Sequence, residues 1–191
     1  MANKKVVSIE ETIREFVENE CKKPGSSYGY DVFPFHFVPT VKYARMLMDK
    51  LGGDEEVVLL SAWMHDVGSI RHGRENHHVT GAKIAGEKLK ELGYPNEKIE
   101  LIKRCILNHR RSGDKERNTI EEQIIAEADA LSHFDDFPGL IIAAFIYEGK
   151  TRMKTRISVK KKLERDWEQL HFDISREIIK PKFEAAMLLL S

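Results

Sequence analysis

Six side chains in this sequence are of the kinds that hold a divalent cation: His36, His65, Asp66, His77, His109 and Asp129. Their centre is Ser61-Ala-Trp-Met-His-Asp-Val-Gly68, apolar as far as Met64, then polar, then broken at Gly68. An imidazole beside a carboxylate at the end of an apolar helix is costly to bury without compensation. Neutral imidazole with ionised carboxylate suits a borderline divalent metal, Mn, Fe, Co, Ni or Zn. A carboxylate can also serve two ions, one per oxygen. A His-Asp pair alone is better explained as a polar cap, with His near the negative end of the helix dipole. The other four residues shift that balance.

The elements that must position them read as helices. Ser8-Ile-Glu-Glu11 and Thr119-Ile-Glu-Glu122 are capping boxes, opening helices that run to about Cys21 and Phe134. Between them, helices are expected from near Phe35 to Leu51, from Asp54 to His65-Asp66, from His77 to Leu92, and from Asn96 to His109. Lys22–Ser27, Val67–Asn76 and Arg110–Asn118 read as loops, and Tyr28–Pro34 as a structured one. Gly139–Glu148 is nearly all apolar and is expected to be a central helix. Helix returns from Thr155 to about His171 and on to Leu190, with Pro181 a kink or restart. The fold class is all-α: a single-domain helical bundle with the metal site at its centre. Five successive helices then each offer a His or Asp at or near the buried face. Ala126, Ala128 and Ala130 bracket Asp129 with space. Facing helices of bundles build metal sites in this way.

Composition excludes some classes. The net charge is zero, so there is no strong case for nucleic acid or an anionic membrane as partner. The charge is uneven: residues 150–166 hold eight Lys or Arg against two acids, a +6 segment. Such a run is usually a solvated helix face, or it lines the entrance for a charged substrate. The longest apolar run, Leu140–Ile146, is too short to span a bilayer, and no signal peptide is visible. Cys21 and Cys105 lie far apart and outside any CxxC pair, which is expected of reduced thiols in a cytoplasmic protein. Oligomeric state stays open, a homodimer included.

The ordered set resembles the HD-domain superfamily of metal-dependent phosphohydrolases, in its six-ligand form. His36-Phe-Val-Pro-Thr-Val-Lys-Tyr-Ala44 resembles the first motif of that family, and Ser61–Gly68 the motif that names it. His77-His-Val-Thr-Gly-Ala82, Ile106-Leu-Asn-His109 and Ala128-Asp-Ala-Leu131 resemble the remaining three. The resemblance spans about residues 30–148 and implies one HD-type domain over 1–191, with 149–191 a C-terminal helical extension. The chain departs at Pro39, where many members carry Arg, and it lacks the Gly-Tyr-Pro of the cyclic-dinucleotide branch.

The resemblance implies hydrolysis of a phosphate ester of a nucleotide or small phosphorylated metabolite, with one or two divalent transition-metal ions as cofactor. His36, His65, Asp66 and Asp129 would hold one ion, and Asp66 would bridge to a second at His77 and His109. Asp66 is thus also a catalytic candidate. The spacing to Gly81 favours His77, with neighbouring His78 the alternative. Phosphate charge would be met by Arg71, Arg110 or Lys83, Arg being suited to it by its fork; Arg74 and Arg111 adjoin them. Exposed loop charges explain these arginines equally well. His72, His133 and His171 read as surface or core histidines, and Cys105 as packing. Two rivals stand: a diiron oxygenase of the same superfamily, and a catalytically silent metal- or nucleotide-binding regulatory module.

Overall fold

The computed structural model describes residues 8–110 and 116–191. Among these residues every regular element is helical: α1 (Ile9–Lys22), α2 (Val38–Leu51), α3 (Glu55–Met64), α4 (Val67–His72), α5 (His77–Glu91), α6 (Asn96–Asn108), α7 (Ile120–Asp135), α8 (Phe137–Ile142), α9 (Arg152–Gln169) and α10 (Asp173–Leu189). Two π-helical turns join them, Phe33–Phe37 before α2 and Ala143–Tyr147 after α8. The all-α class is as expected.

The starts of the helices follow local chemistry. Ser8 Oγ accepts the Glu11 N–H at 3.1 Å and Thr119 Oγ1 the Glu122 N–H at 3.3 Å, so both capping boxes form their N-caps. Asp54 Oδ1 accepts the Val57 N–H at 3.2 Å and opens α3. Pro39 has no N–H to donate, and the chain before it takes a wider turn in which the Val38 N–H reaches Phe33 O. His36 sits in that turn.

The central helix is α3. All eight residues from Val57 to Met64 are buried, and α1, α2, α6 and α7 pack around it. Gly139–Glu148 is not central, contrary to the expectation from its apolarity. It forms α8 and the second π turn at the surface, where Ile146 is 64% exposed. Its apolar character has another cause: Leu140, Ile142 and Ala143 form one wall of a cavity.

The expected loop 67–76 is also partly helical, as α4. Gly68 reads as a breaker in the sequence, but it is a contact point. A Cβ there would overlap the His77 carbonyl oxygen and the Gly81 amide nitrogen, so α4 and α5 meet backbone to backbone. Gly73, at φ 75°, then ends α4. Of the expected turn Arg110–Asn118, residues 111–115 lie outside the described residues.

The C-terminal helices are fastened to α7. Gln169 Nε2 donates to Ala126 O at 2.7 Å, and Glu127 Oε1 accepts the His171 and Phe172 N–H groups at 2.6 and 3.2 Å. Glu127 is buried, and burial raises its carboxyl above the usual range. Helix α10 continues through Pro181. Among the described residues no helix is long and apolar enough to cross a membrane.

Candidate metal centre

Each of the six side chains is held by a helix end or a helix face. His36 lies in the first π turn, His65 caps the C-terminus of α3, and Asp66 joins α3 to α4. His77 opens α5, His109 caps α6, and Asp129 lies within α7. All four imidazoles are buried.

Hydrogen bonding fixes which nitrogen of each ring faces inward. His65 Nδ1 lies 2.8 Å from Ala62 O, His77 Nδ1 2.8 Å from Arg74 O, and His109 Nδ1 2.6 Å from Ile106 O. A carbonyl can only accept, so each Nδ1 carries its proton and donates. Ser132 Oγ donates its one proton to Asp129 O at 2.7 Å. It must therefore accept at 3.0 Å from His36 Nδ1. In neutral rings, all four Nε2 atoms then present lone pairs to one region.

Those lone pairs face each other and the carboxylates. His36 and His65 Nε2 are 3.0 Å apart, and His77 and His109 Nε2 are 3.3 Å apart. Asp129 Oδ1 lies 3.5 Å from both His36 and His65. Asp66 divides its oxygens: Oδ2 is 3.6 Å from His36 Nε2, while Oδ1 is 3.2 Å from His77 and 3.7 Å from His109. Asp66 Oδ1 is buried without a hydrogen-bond partner. Two donor groups result, His36–His65–Asp66 and Asp66–His77–His109, and Asp66 belongs to both.

Neutral imidazoles at 3.0 Å repel unless a cation lies between them. Without a metal that cation is a proton. Burial opposes charge on His65, but Asp129 and Asp66 outweigh it and push the ring up to about 9. Burial lowers His36 and His77. It also works against ionising Asp66 and Asp129, yet the surrounding imidazoles hold both well below the usual carboxylate range. Two ionised carboxylates, four inward nitrogens and one orphaned buried oxygen fit a divalent metal ion, and these residues can hold one.

Five of the six side chains, all but His65, line a cavity of about 780 Å³. Arg110 lines it. Two other expected phosphate contacts do not. Arg71 donates from Nε and Nη2 to Glu20 at 2.8 Å each and lies over the Phe16 ring, so it ties α4 to α1. Lys83 is 77% exposed and sits 4.0 Å from Glu87, one turn on along α5. His77 rather than His78 faces Asp66.

His133, read as a surface or core residue, is in the cavity wall. Its ring stacks on His36 with centroids 5.2 Å apart at 16°. Its Nε2 lies 3.6 Å from Asp129 Oδ1 and its Nδ1 3.1 Å from Asp166 Oδ2. A further donor group, His36–Asp129–His133, follows. The available signal was the spacing Asp129–His133, one helical turn on the same face. Asp166 comes from α9, with Lys162, Arg165 and Gln169 beside it in the wall. Burial opposes its ionisation, but Lys162 and His133 hold it below the usual range.

Residues 35–133 match the HD domain family model, more than half of the chain. The chain belongs to the HD-domain family. The matched span includes all six inward-facing side chains of this HD domain. An uncharacterized protein of Clostridium beijerinckii is 33% identical over 101 residues, covering 51% of this chain and 62% of the relative. Ribonuclease Y of Petrotoga mobilis is 31% identical over 108 residues, covering 56% of this chain but only 19% of its own length. The chain thus spans less than two thirds of either relative. Among solved structures, Bacillus subtilis YpgQ in complex with ADP aligns with a TM-score of 0.67, over 94% of this chain and 92% of that one. At 19% identity this likeness concerns the fold.

Proposed function

We propose that this HD domain is a metal-dependent phosphohydrolase acting on a phosphate ester of a nucleotide or small phosphorylated metabolite. One observation carries the reading: four Nε2 atoms and two carboxylates converge beside a cavity, with the oxygens of Asp66 divided between two donor groups. His36, His65, Asp66 and Asp129 would hold one ion, and Asp66, His77 and His109 a second. Bound there, divalent ions supply an acidified water and hold phosphoryl oxygens.

The chain's own residues do the rest. The Nδ1 bonds to Ala62, Arg74, Ile106 and Ser132 hold the rings in one tautomer and one orientation. Arg110, in the wall, meets charge on the phosphate. Leu140, Ile142, Ala143 and Tyr147 enclose the substrate and reduce water around it. Support also comes from relatives named Ribonuclease Y and from the ADP of YpgQ, a nucleotide.

The test combines metal analysis of protein purified without chelator with a hydrolysis screen over phosphorylated metabolites. Stoichiometric metal and chelator-sensitive phosphate release are expected. Metal with no phosphate release, but with oxygen consumption, would replace this reading with an oxygenase.

A further inference from the structure

Beside the main cavity lies a smaller one of about 60 Å³. The two share Arg74, Leu140, Ala143, Glu148, Lys162 and Arg165 in their walls. Ser158 and Val159 of α9 close the smaller one. Its charged lining is mostly cationic: Arg74 from the α4–α5 connection, and Lys162 and Arg165 from positions three apart along α9. A fourth cation, Lys150, is not in the lining but bonds two residues that are, Glu148 and Ser158 Oγ, the latter at 2.7 Å. Glu148 is the carboxylate of this lining, and Arg74 Nη1 also donates to it at 2.7 Å. Lys162 lies 3.5 Å from Asp166, which is itself 3.1 Å from His133. Four cations therefore face two carboxylates.

We propose that this side pocket is an anion subsite that receives a second phosphate of the substrate, away from the phosphate over the metal centre. The proposal rests on the phosphohydrolase reading and narrows it to substrates with two phosphate groups. Three observations support it. The pocket has six lining residues in common with the main cavity, so the two lie directly side by side, within reach of one substrate. Arg74 belongs to both ends: its carbonyl orients His77, and its guanidinium is at the pocket. Three of the four cations, Lys150, Lys162 and Arg165, come from the +6 segment, and Lys162 and Arg165 line the main cavity as well. Arg and Lys recognise phosphate by charge-assisted hydrogen bonds, Arg through two at once.

Binding of phosphonates tests this apart from catalysis, because their P–C bonds are not hydrolysed. Methylphosphonate and diphosphonates with one to three carbons between phosphorus atoms are titrated calorimetrically into the full chain, at equal free Mn²⁺ in cell and syringe. At least one diphosphonate is expected to bind tenfold or more tightly than methylphosphonate. In the Lys162→Ala/Arg165→Ala variant that ratio is expected to fall to within twofold. Alanine suits both helical positions, and methylphosphonate binding reports that the metal-centre end persists. Wild-type protein with no diphosphonate preference, or a variant that keeps it, overturns the subsite. A blank hydrolysis screen with the preference intact overturns instead the phosphohydrolase reading.

Discussion

Replacing Ser132 by alanine isolates the role of a single hydroxyl. Ser132 Oγ is fully buried, donates to Asp129 O and accepts from His36 Nδ1. In the variant His36 loses its acceptor, and its proton is free to move to Nε2, the nitrogen that faces His65 and the two carboxylates. The fold should tolerate the change. Losing a net hydrogen bond costs about 0.5–1.5 kcal/mol, and alanine returns about 0.5 kcal/mol of helix propensity. Stability of the metal-free protein should therefore change by no more than about 1 kcal/mol. Metal affinity should fall further, by about 10–100-fold, which corresponds to roughly 1.4–2.7 kcal/mol. Mn²⁺ titration by calorimetry, with melting of chelator-treated protein as control, measures both. Affinity within twofold of wild type would refute the claim that Ser132 sets the His36 tautomer.

Three further outcomes are expected. Asp66→Ala should lose metal at both donor groups while retaining helical circular dichroism, because its two oxygens face different groups; stoichiometric metal in that variant contradicts the shared role. In metal-free protein His65 is raised from 6.5 to about 9, so its contribution is complete below pH 6.5 and is lost as pH rises through 9. The melting temperature of chelated protein should fall across that window, and a fall of equal slope in His65→Gln would exclude His65 as its source. Gly68→Ala should destabilise by about 1–3 kcal/mol by forcing α4 from α5; an unchanged denaturation midpoint would show that the two helices part freely.

The ligand-type residues were legible because buried polar groups at apolar addresses stand out in a helical pattern. His36, His65, Asp66, His77, His109 and Asp129 break that pattern on five helices, and the structure brings all six together. The capping boxes at Ser8 and Thr119 marked two helix starts for a local reason, one side-chain oxygen per amide. Tertiary effects were not legible. Gly68 reads as a breaker until α5 is placed against it. The apolar run 139–148 has the composition of a core helix, but cavity lining makes the same demand on one side only. Arg71 stands five residues from Asp66, yet its helix aims it at Glu20 on α1. Asp166 lies far along the chain from the other cavity acids, and only the return of α9 across α7 brings it to His133.

In the proposed metal centre Asp66 serves two ions. The most direct test is a crystal structure of protein loaded with Mn²⁺, with anomalous data collected at the manganese edge. Two peaks are predicted, one among His36, His65, Asp66 and Asp129 and one among Asp66, His77 and His109, with a different Asp66 oxygen directed at each. A map from fully loaded crystals with no peak among these residues would contradict the metal centre, and a single peak, with His77 and His109 turned away, would contradict the shared role of Asp66.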